Sequence, residues 1–159
     1  MFKKLEQFER IARTSRNLGT KPPSGISAAH PFDERNIHTA ITKVSKALFD
    51  NGHYSQATFE AFKFLDAKVK NLSGVNDSGH GLMMNAFGDK NTKIKLTDMI
   101  TQSEQDEQSG YKFIFAGSMS AIRNPRGHEI VHDSIDQCLD HLSMASQLLR
   151  RIEERKWPL

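Results

Sequence analysis

Apolar residues recur at every third or fourth position along most of this 159-residue chain, and no stretch alternates convincingly as a strand would. The stripe is clearest near the C-terminus. Ile135, Leu139, Leu142, Leu149 and Ile152 line one side of a helix there, with Asp136, Asp140 and Arg151 away from it. Ile37, Ile41, Val44 and Leu48 repeat the pattern and predict a helix over about 32–50, closed at Asn51-Gly52 because glycine is a common helix C-cap. Phe59, Phe62, Leu65 and Val69, with Ala61 and Phe64 alongside, give a core-facing stripe from Ser55 to Val69. A short turn between these two helices makes an antiparallel hairpin. The expected fold class is all-α, a bundle of four to five helices.

The remaining segments are read in the same way. Phe2, Leu5, Phe8, Ile11 and Ala12 predict an amphipathic helix over 2–17, and the Pro- and Gly-containing stretch 18–25 reads as a linker. The expected organisation is an appended helix and linker over 1–25 and a helical domain over 26–159. Residues 71–95 read as irregular, with a turn or two of helix from Gly81 to Phe87 and another short piece from Leu96 to Ile100. Glu104 to Ile122 reads as a helix whose first turn, through Gln108, is exposed. Its buried face is expected to hold Phe113, Ile114, Ala116, Gly117, Met119, Ser120 and Ile122. Asn124-Pro125 should interrupt that helix, because a residue before proline is pushed out of the α region. Asp133 or Ser134 should start the last one, with Ser134 and Gln137 forming a capping box. His53 and Tyr54 are expected to pack or cap in the first inter-helix turn, and Met83 and Met84 to fill the core. His80 reads as part of a Gly-rich loop that could form a mobile flap.

Composition narrows the function classes. The hydrophobic fraction is 37%, and no apolar run approaches the roughly 18 residues needed to span a bilayer, so no membrane partner is expected. Met1 to Glu6 carries basic residues with no apolar stretch behind them, unlike a secretory signal. Cys138 is the only cysteine, which excludes an intrachain disulfide and a cysteine-cluster zinc site; it suits a reducing cytoplasm, and the thiol is expected to be inert. A formal charge of +3 permits contact with an acidic polymer without demanding it. Lys3, Lys4, Arg10, Arg13 and Arg16 crowd one end and Arg150, Arg151, Arg155 and Lys156 the other, a distribution that solvated helix faces also explain.

The chemistry concentrates between Arg123 and His132, where two motifs overlap. Arg123 and Asn124, with His128 after four intervening residues, make an arginine–histidine pair. His128, Glu129 and His132 also spell the zinc-peptidase pattern H-E-x-x-H. Chance favours the second as a signal. An arginine–histidine pair at four to six intervening residues is expected about once in a chain of this composition, and H-E-x-x-H about 0.02 times. Helix signals favour the first. A zinc site needs both histidines one turn apart in mid-helix, yet the helix start lies after His132, and Pro125 and Gly127 suggest a bend. Were the helix to begin near Arg126, His128 and His132 would instead face inward together. A third ligand is also needed, and Glu153 would lie about 30 Å from His132 along the same helix.

Metal-free RNA cleavage asks for less. The 2′-hydroxyl must lose a proton, the leaving 5′-oxygen must gain one, and charge on the phosphorane must be stabilised. A histidine can perform a proton transfer, and an arginine fork suits a phosphate bidentately. Asn124 could orient either group. The bland reading of Arg123-Asn124-Pro125 is a helix terminator whose arginine satisfies free carbonyls.

The succession Phe49 to Ala57, Ala61, Gly81 to Phe87, Phe115 to Ser118 and Arg123 to His128 resembles the bacterial family labelled Ymh, of the HEPN superfamily, over about residues 30 to 155. That resemblance implies a HEPN-like helical bundle, commonly a homodimer, and a metal-independent endoribonuclease of toxin–antitoxin, abortive-infection or phage-defence type. It implies a composite site at the dimer interface. Arg123, Asn124 and His128 take the catalytic roles, Arg126 is an accessory phosphate contact, and Glu129 and His132 have no assigned role. No cofactor or metal is implied, and a toxin would have a separately encoded antitoxin or regulator. The alternatives are a non-catalytic HEPN scaffold or nucleotide- or RNA-binding module and, from His128 and His132, a zinc metallopeptidase.

Overall fold

The computed structural model describes residues 29–88 and 90–155. The helix expected over 2–17 and its linker lie outside the described residues. The elements are α1 (Pro31–Glu34), α2 (Thr39–Asp50), α3 (Tyr54–Ser73), α4 (Gly79–Ala86), α5 (Gln102–Ser118), a π-helical turn (Met119–Arg123), α6 (Asn124–His128) and α7 (Ile135–Glu153). The described residues contain no strand, as the periodicity required.

The helix expected over 32–50 is two helices. Asn36, at φ +49°, breaks it, and asparagine is among the few residues that tolerate this left-handed conformation. The His38 ring then accepts a hydrogen bond from the Ala40 amide at 3.1 Å and restarts the chain as α2. Gly52 and Gly74, at φ +78° and +66°, turn the chain after α2 and α3.

α3 is the central helix, packed against α2, α4, α6, α7 and the π-helical turn. Phe62, Leu65 and Val69 are fully buried, together with Leu82 and Met83 of α4, Phe115 of α5 and Leu142 of α7. Phe87 stacks on Phe115 with ring centroids 4.4 Å apart. The capping box expected at α7 is present: Ser134 Oγ accepts from the Gln137 amide at 3.2 Å, and Gln137 Oε1 accepts from the Ser134 amide at 3.0 Å. A second box, Thr101 with Glu104, starts α5.

Three expectations about burial fail. Phe113, Ile114, Gly117 and Ser120 are exposed, the first two at 58% and 45%, because the inward face of α5 runs through Gln108, Lys112 and Phe115 and continues into Met119 of the π-helical turn. Gln108, expected outside, is buried: its Oε1 accepts from the Leu96 amide at 2.8 Å, and its Nε2 donates to the Phe87 and Ile94 carbonyls. The segment 96–100 forms no helix. Ile135 is half exposed in the first turn of α7, whereas Cys138 is buried. His80 lies on α4 rather than in a loop. Met83 is buried and Met84 packs partly buried on the core. Among the described residues, no helix is long and apolar enough to cross a membrane.

Candidate functional site

Pro125 does not end the helix. α5, the π-helical turn and α6 form one continuous rod from Gln102 to His128, and Asn124 keeps α geometry at φ −63° and ψ −46°. A proline inside an α-helix lacks an amide and crowds the carbonyl four residues back. Here the turn before it widens: the Asn124 amide reaches back five residues, to the Met119 carbonyl. Such π-bulges recur at functional sites. α6 ends at Glu129, which is extended.

The widened turn seats Arg123 against α3. Its Nη1 donates to Asn124 Oδ1 at 3.1 Å, and its Cζ lies 5.7 Å from the centroid of the Phe59 ring, within cation–π range. Arg123 Nε is buried with no hydrogen-bond partner among the described residues. An unsatisfied buried donor costs about 1–3 kcal/mol. Asn124 Oδ1 comes within 3.8 Å of where a Cβ on Gly79 would sit, and the Gly79 amide donates to the buried Asp66 carboxylate at 2.6 Å. The start of α4 and one face of α3 therefore close around Arg123 and Asn124. His128, at the end of α6, is exposed and makes no hydrogen bond to the described residues.

Gly127 packs on the same ring as Arg123. A Cβ there would stand 3.0 Å from Phe59 Cε2, tighter than ordinary contact. Gly127→Val adds two further carbons at that point. It is expected to lower stability by about 1–3 kcal/mol through overpacking, measured by urea unfolding.

Arg126 is committed to a buried ion pair. Its side chain is 8% exposed and that of Asp133 is 2% exposed. Arg126 Nε donates to Asp133 Oδ2 at 2.8 Å, Nη2 donates to Asp133 Oδ1, and Nη1 donates to the Ile122 carbonyl at 2.7 Å. The carbonyl-capping role that the bland reading gave to Arg123 thus belongs to Arg126. Burial pushes the Asp133 carboxyl up, but the hydrogen bonds and charge of Arg126 outweigh it and hold the carboxyl below its ordinary value. Burial, reinforced by the Arg126 charge, pushes the neighbouring His141 down. The Asp133 amide donates to Ser55 Oγ at 2.8 Å, fastening the segment after the motif to the start of α3.

That segment, from Glu129 to Ser134, is not helical. His128 and His132 therefore do not project one turn apart from a helix, which is the arrangement H-E-x-x-H needs. Among the described residues, no group of three or more His, Cys, Asp or Glu side chains could hold a metal ion.

A family model described as a protein of unknown function (Hypoth_ymh) matches residues 35–152. The chain belongs to this family. No curated protein and no solved structure matched. The part of this Hypoth_ymh chain that the family model covers holds the whole site, from Phe59 to Asp133. Sequence reasoning named Arg123, Asn124 and His128 as site residues but gave Phe59, Asp66, Gly79 and Gly127 no place around them. Only Gly127, next to Pro125 and inside the motif, carried any local signal. The roles of Phe59 and Asp66 depend on contacts across long stretches of chain.

Proposed function

We propose that this Hypoth_ymh protein is a metal-independent endoribonuclease of the HEPN superfamily, acting as a toxin or phage-defence effector with a separately encoded regulator. The observation that carries the reading is the state of Arg123. Its guanidinium is steadied by Asn124 and Phe59, keeps an unpaired Nε, and stands five residues before an uncommitted, exposed histidine. A cation fixed in advance and a free imidazole on the same rod supply what phosphoryl transfer from a 2′-hydroxyl asks of a protein: charge stabilisation without reorganisation, and a proton carrier. His128 serves as general base or acid, Arg123 binds the phosphate and its transition state, and Asn124 orients Arg123. Arg126 braces the segment through Asp133 rather than touching RNA.

One histidine per chain leaves the second proton transfer unassigned, and a composite site in a homodimer supplies a second imidazole. Phe113 and Ile114 support that assembly. They lie exposed on the rod that ends in the motif, flanked by Gly110 and Gly117, at each of which an added Cβ would meet nothing within 4 Å. Two rods can approach closely along such a face.

The test is cleavage of total RNA in excess EDTA by wild type and by His128→Ala, both checked for fold. Cleavage by the wild type, lost by about 10²–10⁴-fold in the variant, is the expected result, with 2′,3′-cyclic phosphate and 5′-hydroxyl ends. A 5′-phosphate product or an equally active variant sinks the assignment. A folded dimer that cuts no RNA moves the reading to the non-catalytic scaffold.

A further inference from the structure

A polar cleft of about 250 Å³ opens between the start of α3 and the segment that follows the motif. His53, Ser55 and Gln56 line one wall, and His132 and Asp133 belong to the other. The two histidines are far apart in sequence and neither is used elsewhere. His53 holds the N-cap position of α3 without making a side-chain cap bond. His132 is exposed and makes no hydrogen bond to the described residues.

The inventory of the walls selects the ligand. Each neutral imidazole offers one N–H, and the glutamine amide offers two. Ser55 Oγ already accepts the Asp133 amide, so its hydroxyl proton remains free to donate. Asp133, the one carboxylate among the lining residues, is paired with Arg126, and its side chain is 2% exposed. That commitment also removes it as a metal ligand, and among the described residues no third ligand joins the histidines. What remains is a set of donors without an opposing free anion, which suits an oxyanion such as phosphate. The end of α3 adds a favourable dipole but does not by itself define the site.

His132 follows His128 by four residues, so their Cα atoms lie no more than about 15 Å apart. We infer that this cleft is a second phosphate subsite, where His53 and His132 hold a backbone phosphate of the same RNA strand that Arg123 and His128 engage. The ligand's identity as an RNA strand rests on the ribonuclease reading. In this role the two histidines bind and orient, and they take no part in the proton transfers.

The experiment uses the full chain and a 2′-O-methyl hexanucleotide, which lacks the attacking hydroxyl and stays uncut. Imidazole resonances of His53 and His132 are followed by NMR as this oligonucleotide, and separately inorganic phosphate, is added. Affinity for the oligonucleotide is then measured for wild type and for His53→Ala/His132→Ala. Shifts at both imidazoles with the oligonucleotide, and binding about tenfold weaker in the variant, are expected. Both side chains are exposed, and the wild-type resonances decide the matter should the variant fold poorly. Shifts with inorganic phosphate but unchanged oligonucleotide affinity would overturn the RNA assignment. No shift with either probe would overturn the site. The ribonuclease reading fails separately, if wild type binds through both histidines yet leaves the matching ribo-oligonucleotide intact.

Discussion

Asp133→Ala is expected to lower the unfolding free energy by about 3–5 kcal/mol, the cost of stranding a buried guanidinium. Arg126 is 8% exposed and directs Nε and Nη2 at the lost carboxylate, so water cannot readily replace it. Removing both charges together should cost less than removing one. Arg126→Met combined with Asp133→Leu is therefore expected to be more stable than Asp133→Ala alone, which urea unfolding at neutral pH will resolve. The pH dependence has a definite sign. The Asp133 carboxyl is held below its ordinary value of 3.8, so its stabilisation is full above that value and is lost as pH falls through the lowered one. His141, pushed below 6.5, resists protonation in the folded state more than in the unfolded chain, so stability also declines as pH drops from 6.5. Asp133→Ala should flatten the carboxylate part of that acid limb and enlarge the histidine part, because the Asp133 charge, 4.0 Å from His141 Nδ1, opposes the downward shift of His141. A variant within 1 kcal/mol of wild type would show that the pair contributes little to stability.

Arg123→Lys should separate stability from activity. Lysine keeps the charge but cannot form the guanidinium fork, so phosphate loses its bidentate partner. Cleavage is expected to fall by about 10²–10³-fold, the range seen when one donor to a developing oxyanion is removed. Folding should not suffer in proportion. The substitution also removes the buried, unpaired Nε, and with it a cost of about 1–3 kcal/mol. Stability equal to or above that of wild type, alongside the loss of cleavage, is the expected pattern in thermal unfolding and single-turnover assays. Cleavage within threefold of wild type would remove Arg123 from the mechanism.

Legibility in the sequence followed the reach of the interactions. The capping box at Ser134 and most of the α7 stripe could be read directly, because both are set by neighbours within a turn or two of the same helix. The inward face of α5 could not. Its buried positions include Gln108 and Lys112, polar residues that disguise the period, while Phe113 and Ile114 advertise a face the core does not use. Pro125 misled for a related reason. The rule that proline stops a helix assumes a regular α turn before it, and the π-helical turn removes that premise. Arg123, Asn124 and His128 were visible as letters at a fixed spacing. The ring beneath Arg123, the carboxylate that anchors α4 and the brace that occupies Arg126 were not visible, since each joins segments distant along the chain.

The π-helical turn also fixes the phase of everything beyond it. An α-helix advances about 100° per residue, so restoring a regular turn by deleting one residue between Met119 and Arg123 would swing the rest of the rod by about that angle. Arg123 would leave the Phe59 ring, Asn124 would leave Gly79 and Arg126 would leave Asp133. The spare residue works like a vernier on a screw thread: it sets the bearing of the motif against the helices on which it packs.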